Sequence, residues 1–246
     1  MIIGSRGSAL ALAQSEEVKQ ALETINDTLN VQIQVISTKG DRILDRPLGA
    51  IGSKGLFTME IEKELREHTI DLAVHSLKDM PSELGEDLVL TGTIACNDAR
   101  DCIVFSDKYH SMEELPAGAV VGTGSARRKA QLLAMRPDLD IRDIRGNILT
   151  RLQKLDDGQY DAIVMAVAGL NRMNLTHRIG KVFTYEEMIP ACGQGILAIE
   201  VHKDCEYLPL IERIVDPLTT KRMQYERLFL ETVNGSCHLP VACHVE

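Results

Sequence analysis

Short apolar runs rich in β-branched residues alternate along the chain with longer stretches whose apolar residues recur at helical spacing. This alternation is typical of α/β architecture. The predicted strands are Ile2–Ile3, Val31–Ser37, Leu72–His75, Val89–Ile94, Ile103–Phe105, Val120–Val121, Asp140–Ile144, Ala162–Met165 and Ile196–Val201. The predicted helices are Ser8–Ile25, Gly55–Glu67, Ser125–Met135, Asn147–Asp156 and Thr219–Val233, the last with Met223, Leu228 and Leu230 on its apolar side.

Two strand-to-helix junctions have similar sequences. Gly4–Ser8 (GSRGS) follows the first strand, and Gly122–Arg128 (GTGSARR) follows a strand near the middle of the chain. The repetition predicts two α/β domains that each present a small-residue turn and a helix N-terminus, which bind anions, to a shared cleft. Neither junction matches a P-loop or a clean GxGxxG, so no nucleotide is implied. The competing interpretation of either junction alone is an ordinary tight turn.

The size and composition of the chain exclude several classes of protein. A length of 246 residues is enough for one large or two ordinary domains. The net charge of −9 argues against a general nucleic-acid-binding protein, which needs a basic face. No apolar run is long enough to span a bilayer, and the N-terminus lacks the pattern of a signal peptide, so we expect no membrane contact. Six cysteines without a CxxC pair indicate reduced thiols in a cytoplasmic protein.

Positive charge is concentrated in one segment. Residues 121–151 contain seven basic and three acidic residues and so carry +4, while the rest of the chain carries −13. Six of the seven basic residues are arginines, which favours bidentate capture of carboxylate or phosphate. We expect Arg127, Arg128 and Arg145 to bind an anion. Lys129 and Arg136 fit a solvated helix face with surface ion pairs.

A second candidate site follows the strand that ends at His75. The strand leads directly into a polar loop, Ser76–Met80, which Pro81 terminates. Ligands of open α/β sheets lie beyond the carboxyl ends of the strands, where this loop places Lys78 and Asp79. A carboxylate there can stabilise a cation or move a proton, and a lysine can hold an anionic substrate. A loop salt bridge between the two is the competing interpretation.

One of the six cysteines differs from the others in its setting. Cys96, Cys102, Cys192 and Cys205 lie in or beside apolar stretches and are expected to be buried. Cys237 follows Gly235 and Ser236 just beyond a helix and precedes a histidine, so it is a candidate nucleophile or covalent attachment point. The Cys-His pairs at 237–238 and 243–244 match no common zinc spacing, so no metal site is expected.

An ordered series of short motifs covers most of the chain. They are SRGSALA (Ser5–Ala11), TKGD (Thr38–Asp41), GSKGLF (Gly52–Phe57), HSLKDMP (His75–Pro81), VGTGSARR (Val121–Arg128), RGNILTR (Arg145–Arg151), AVAGL (Ala166–Leu170), GQG (Gly193–Gly195) and GSC (Gly235–Cys237). The motifs occur in this order and at this spacing from residue 1 to about residue 242. In both respects the sequence closely resembles the porphobilinogen deaminase (hydroxymethylbilane synthase) family. Each motif alone is weak, and the ordered set is specific.

The resemblance implies an enzyme that joins four porphobilinogen molecules head to tail, with release of ammonia, on a covalent dipyrromethane primer. It implies that Cys237, and not Cys243, carries the primer through a thioether and that Asp79 is the catalytic residue. The implied cofactor-binding residues are Ser76, Lys78, Thr123, Ser125, Arg127, Arg128 and Asp41. The implied substrate-binding residues are Arg6, Ser8, Arg145, Arg151 and Arg172, and the family's mobile loop matches Asp41, Lys54 and Phe57.

The family fold implies two similar α/β domains with doubly wound mixed sheets, resembling type II periplasmic binding proteins, and a third α/β domain bearing the cysteine. The expected domains are 1–95 with 195–213, 99–191, and a short or truncated third domain over 217–246. The chain has Gly124 where many relatives have Ser, and it ends soon after Cys237. We expect a cytoplasmic monomer.

Two other hypotheses remain open at this point. The first is a non-catalytic, two-domain binding protein for a carboxylated small molecule, against which the presence of both Asp79 and Cys237 and the lack of a signal peptide argue. The second is a degraded homologue without the primer, whose short C-terminus prevents activity.

Overall fold

The chain forms two five-stranded mixed sheets with helices. The computed structural model describes residues 1–42, 58–81, 84–233 and 240–246, and only the backbone of residues 41 and 42. The strands are β1 (Ile2–Ser5), β2 (Gln32–Val35), β3 (Leu72–Ser76), β4 (Leu88–Leu90), β5 (Asp101–Phe105), β6 (Val120–Gly122), β7 (Asp140–Arg142), β8 (Ala162–Ala166), β9 (Lys181–Val182) and β10 (Leu197–His202). The helices are α1 (Ala9–Ile25), α2 (Lys39–Arg42), α3 (Met59–Arg66), α4 (Ala126–Met135), α5 (Ile148–Asp156), α6 (Val167–Arg172), α7 (Leu208–Ile211) and α8 (Pro217–Thr232).

The two sheets share one topology. The first has the order β2-β1-β3-β10-β4, in which β2, β1 and β3 are parallel and β10 is antiparallel to β3 and β4. The second has the order β7-β6-β8-β5-β9, in which β7, β6 and β8 are parallel and β5 is antiparallel to β8 and β9. The predicted α/β class with two mixed sheets is confirmed.

The chain divides into two compact units, one around each sheet. Among the described residues, the first unit contains 1–97, 196–233 and 245–246, and the second contains 98–195 and 240–244. Helix α8 belongs to the first unit. The partial third domain expected over 217–246 includes residues 234–239, which lie outside the described residues, and it stays a prediction.

The core of each unit follows from the hydrophobic pattern of its elements. In the first unit, Val18 and Leu22 of α1 are fully buried with Ile3 of β1 in one apolar cluster. In the second, Leu132 of α4 packs with Val121 of β6. Side chains cap the helices that follow these strands, because each helix begins with backbone N–H groups that have no partner inside it. The Ser8 hydroxyl accepts from Ala11 N at 3.3 Å, and the Ser125 hydroxyl accepts from Arg128 N at 3.4 Å.

Most predicted elements are present with shifted ends, and the exceptions are short. The strand predicted over Val89–Ile94 ends at Leu90, and the helix predicted over Gly55–Glu67 is described from Met59 to Arg66. The two-residue strand β9 and helices of four to six residues were not predicted, since a segment that short contains less than two turns of periodic pattern. None of the described helices is both long and apolar enough to cross a membrane.

The predicted buried face of the last helix is partly wrong. Helix α8 buries Thr219, Met223 and Glu226, whereas Leu228 is 58% exposed. The Glu226 carboxylate is satisfied there, because it accepts from Arg222 Nε at 3.0 Å and from the backbone N–H of Val245 at 3.1 Å. Apolar residues occur on more than one side of this helix, so their spacing does not identify the packed side.

The packing of α8 gives a matched pair of substitutions. Met223 is 5% exposed and packs in an apolar cluster with Leu77 and Met80, so Met223→Ala should lower the free energy of unfolding by about 2 kcal/mol or more. Leu228→Ala removes a largely exposed side chain and should change it by less than about 0.5 kcal/mol. Denaturant unfolding of both variants measures this, and equal losses would contradict the packing of α8 described above.

Candidate active site

The first group of candidate residues lies where two neighbouring parallel strands end. Strands β1 and β3 pair in register, with Gly4 opposite Ala73, so their carboxyl ends lie at the same edge of the first sheet. Arg6 and Ser8 follow β1. Asp79 follows β3 at the end of a single 3-10 turn over Leu77–Asp79, and its side chain is exposed. The first unit therefore brings these predicted site residues together as the strand order requires.

A small pocket with mixed polar and apolar lining lies at this edge of the first unit. Its lining includes Arg6, Ser8, Gln14, Ser76 and Asp79. Gln14 is 5% exposed and donates from Nε2 to the Ser76 hydroxyl at 2.8 Å. Gln14 is not among the site residues predicted from the sequence. Its signal is a polar side chain on the buried face of α1.

Polar contacts hold the chain on both sides of the Asp79 turn. Before the turn, His75 Nε2 lies 3.1 Å from the Glu200 carboxylate on the neighbouring strand β10, and both side chains are buried. After the turn, Arg227 of α8 donates to the Pro81 carbonyl at 3.1 Å. Contacts to β10 and α8 thus fix the position of a turn whose carboxylate itself faces solvent.

The second group lies at the equivalent edge of the second unit. Thr123 and Ser125 form the turn between β6 and α4, where the Ser125 N–H donates to Thr123 Oγ1 at 3.2 Å. Gly124 sits close to the backbone, because a Cβ there would lie 3.3 Å from the Ile144 carbonyl oxygen. The predicted turn and helix N-terminus are both present.

Arg127 and Arg128 are buried and share one acidic partner, Asp101 at the start of β5. Arg127 Nη1 donates to Asp101 Oδ2 at 2.7 Å, and Arg128 Nε donates to Asp101 Oδ1 at 2.9 Å. Gln194 Nε2 donates to the same Oδ1 at 2.9 Å. Arg128 Nη2 also lies 2.7 Å from Asp101 Oδ1. Arg127 donates to the Ile189 carbonyl, and Arg128 donates to the Val164 carbonyl. Asp101 and Gln194 are not among the site residues predicted from the sequence.

The electrostatics of this cluster keep its carboxylate ionised. Burial alone raises the pKa of Asp101, but the charges of Arg128 and Arg127, with hydrogen bonds from Arg127 and Gln194, lower that pKa to about 2. Burial lowers the pKa of Arg127, and the charge of Asp101 opposes that effect. The cluster of one carboxylate and two guanidiniums therefore carries one net positive charge inside the second unit.

The three remaining candidate arginines also belong to the second unit. Arg145 is half-buried, and its Nη1 is buried without a hydrogen-bond partner among the described residues. Arg151 Nε donates to the Gly146 carbonyl at 2.7 Å, and Arg172 Nη2 donates to the Gly195 carbonyl at 3.3 Å. Arg136 forms a surface pair with Asp138, as predicted for it.

The candidates that concern cysteine are only partly described. Cys237 lies outside the described residues, as do Lys54, Phe57 and the side chain of Asp41. Cys102 and Cys192 are buried as predicted, and burial raises the pKa of Cys102 to about 12, whereas Cys96 and Cys205 are only half-buried. Among the residues that the structure describes, no group of three or more His, Cys, Asp or Glu side chains could hold a metal ion.

Sequence comparison identifies a family. Residues 1–208 match the family model described as "Porphobilinogen deaminase, dipyromethane cofactor binding domain". A porphobilinogen deaminase of Bacillus pumilus is 47% identical over 242 residues, which cover 98% of this chain and 78% of the relative. A porphobilinogen deaminase of a Roseiflexus species is 46% identical over 249 residues, which cover 100% of this chain and 82% of the relative.

Comparison with solved structures shows the fold alone. The methionine-binding protein MetQ matches with a TM-score of 0.55 at 14% identity, over 100% of this chain and 98% of that one. A periplasmic substrate-binding protein of an ABC transporter from Coxiella burnetii matches with a TM-score of 0.54 at 13% identity, over 92% of this chain and 96% of that one. The expected likeness to periplasmic binding proteins is confirmed.

The depressed pKa of Asp101 predicts an acid-sensitive part of the stability. A carboxyl whose pKa is lower in the folded than in the unfolded chain stabilises the fold above its unfolded pKa of about 3.9, and the contribution is lost as the pH falls towards 2. Asp101→Asn lacks this contribution. The difference in unfolding free energy between parent and variant should therefore narrow by about 2–3 kcal/mol between pH 5 and pH 2.

Denaturant unfolding at a series of pH values measures this difference. Asp138→Asn, which removes the exposed partner of Arg136, is the matched control. Its difference in unfolding free energy from the parent should change less between pH 5 and pH 2. A difference between the parent and Asp101→Asn that stays constant over this pH range would contradict the description of the cluster.

Proposed function

The chain belongs to the porphobilinogen deaminase family, and we propose how its own residues perform the reaction of that family. The reaction joins four porphobilinogen molecules head to tail into the linear tetrapyrrole hydroxymethylbilane and releases one ammonia at each step. The cofactor is dipyrromethane, for which the matched family domain is named. When bound, it supplies the pyrrole carbon to which the first substrate is joined.

The described residues fit this cofactor. Each pyrrole unit carries an acetate and a propionate, so a dipyrromethane brings four carboxylates. Buried donors without a partner are costly, and guanidinium donors bind carboxylates well. Two such donors in the second unit, Arg127 Nε and Arg145 Nη1, are buried with no hydrogen-bond partner among the described residues. These unsatisfied donors are the observation that best supports a carboxylate-rich ligand.

We propose that Cys237 holds the cofactor through a thioether. The proposed binding residues of the cofactor are Ser76, Lys78, Thr123, Ser125, Arg127, Arg128 and Asp41. The proposed binding residues of the incoming substrate are Arg6, Ser8, Arg145, Arg151 and Arg172. Fixed cations offset the cost of taking carboxylates out of water, which otherwise opposes binding of so acidic a ligand.

Asp79 is the proposed catalytic residue. The aminomethyl group of porphobilinogen is an ammonium at neutral pH, so when its carbon–nitrogen bond breaks, the electron pair leaves with ammonia and positive charge develops on the pyrrole ring. A carboxylate placed beside the ring nitrogen stabilises that charge and accepts a hydrogen bond from the ring N–H. It also assists the loss of the proton from the ring carbon that forms the new bond. The exposure of Asp79 in a pocket that Arg6 and Ser8 also line supports this role.

We also propose that the protein is a cytoplasmic monomer. Cys102 and Cys205 form no disulfide within the described part of the chain, which fits a reducing compartment. The alternative of a non-catalytic binding protein rests on the fold alone, and the catalytic and cofactor-attachment residues of the family motifs, Asp79 and Cys237, are both present.

Substitution of Asp79 tests the proposed mechanism. Asp79→Asn keeps the size of the side chain but removes the charge that stabilises the cationic ring, so turnover of porphobilinogen should fall by about 100-fold or more. The dipyrromethane adduct should remain on the protein. Release of ammonia and formation of tetrapyrrole measure turnover, and intact mass spectrometry measures the adduct.

Cys237→Ala is the matched control for the adduct. It should show the unmodified mass and no turnover, because it lacks the proposed attachment atom. Near-normal turnover by Asp79→Asn would refute the role of Asp79. A parent protein that stays unmodified after incubation with porphobilinogen would refute the enzymatic function of this chain.

A further inference from the structure

The two buried arginines of α4 depend on a carboxylate for which the proposed mechanism has no role. Asp101 is fully buried, and both of its oxygens are engaged. Oδ2 accepts from Arg127, and Oδ1 accepts from Arg128 and Gln194. One carboxylate therefore fixes two guanidiniums, both of which belong to the first turn of α4.

Gln194 fixes this carboxylate in turn. Its side-chain amide donates both to Asp101 Oδ1 at 2.9 Å and to the Ala99 carbonyl at 2.7 Å, and Gln194 is itself 2% exposed. Asp101 is also the first residue of β5, where it pairs with Ala166 of β8. The carboxylate is thus anchored to rigid backbone, and the orientation of both guanidiniums follows from it.

We propose that Asp101 is the positioning residue of the cofactor site, which orients Arg127 and Arg128 for the carboxylates of dipyrromethane and limits their combined charge. The inference rests on the proposed function, because it assumes that these arginines bind the cofactor. Asp101 itself would touch neither cofactor nor substrate. It would affect binding of the cofactor only by orienting the two arginines.

The charge balance explains why such a residue is useful. Two neighbouring guanidiniums without Asp101 form a site of charge +2 that attracts any small dianion, since the attraction depends on charge rather than on shape. With Asp101 the pair carries +1, and the donors that remain are fixed in direction. Arg127 Nε, which has no hydrogen-bond partner among the described residues, is such a donor. The site then selects a ligand whose carboxylates match these directions.

Loading of the cofactor tests this role. The parent, Asp101→Asn and Asp138→Asn are produced in a host that makes no porphobilinogen, incubated with porphobilinogen, and followed by intact mass spectrometry. Asp101→Asn should load at least about tenfold more slowly, because misoriented binding groups lose much of their effect. Asp138→Asn removes a surface partner of Arg136 in the same unit and should load as the parent does.

Competition by inorganic sulfate separates positioning from mere structural support. If Asp101 limits the charge of the pair, sulfate should inhibit the loading of Asp101→Asn at about tenfold lower concentration than in the parent. If Asp101 only stabilises the fold, loading should fall in proportion to the unfolded fraction seen by circular dichroism. The sulfate inhibition of the folded protein would then be unchanged, and the proposal would be overturned.

Asp101→Glu is the second variant and keeps the proposal falsifiable if Asp101→Asn does not fold. It retains the charge but displaces the carboxylate by one methylene, so loading should slow while inhibition by sulfate stays as in the parent. Loading of Asp101→Glu at the parental rate would overturn the positioning role. If the parent loads and Asp101→Asn loads equally fast, this inference alone fails, whereas a parent that does not load refutes the proposed function as well.

Discussion

One buried carboxylate organises the second unit of this protein. Asp101 binds two guanidiniums from the first turn of α4, and a charge in such an interior is tolerated only when it is paired and hydrogen-bonded. The arrangement is asymmetric, because two cations share one anion. The excess of positive charge stays inside the unit, close to the helix N-terminus that Ser125 caps. We propose that this excess serves the carboxylates of dipyrromethane.

The first unit has the same strand topology as the second but presents different polar residues at the carboxyl edge of its sheet. Its strands β1 and β3 end side by side, as β6 and β8 do in the second unit, and each pair presents polar residues at its carboxyl edge. The edge of the first unit carries an exposed carboxylate, Asp79, beside Arg6, whereas the turn of the second unit leads into the paired Arg127 and Arg128. We propose that both units bind the acidic ligand and that the first adds the carboxylate that stabilises its cationic states.

The sequence predicted the residues that follow strands better than those that support them. Arg127 was predicted because positive charge is concentrated in residues 121–151, and Asp79 because a polar loop directly follows an apolar strand. Asp101 was not predicted, since it begins β5 directly before an apolar run and nothing local indicates two partners 26 and 27 residues later. Gln14 was missed for the same reason, because its partner Ser76 is 62 residues away. The packed side of α8 depends on Glu226, whose burial requires partners that periodicity cannot show.

A crystal structure of the protein loaded with dipyrromethane would show whether the Asp101-bound arginines bind the cofactor. We expect a cofactor carboxylate within hydrogen-bond distance of the Arg127 guanidinium, while Asp101 still bridges Arg127 and Arg128. A loaded structure in which both arginines contact only Asp101 and backbone carbonyls, with the cofactor carboxylates bound by other residues, would contradict this expectation.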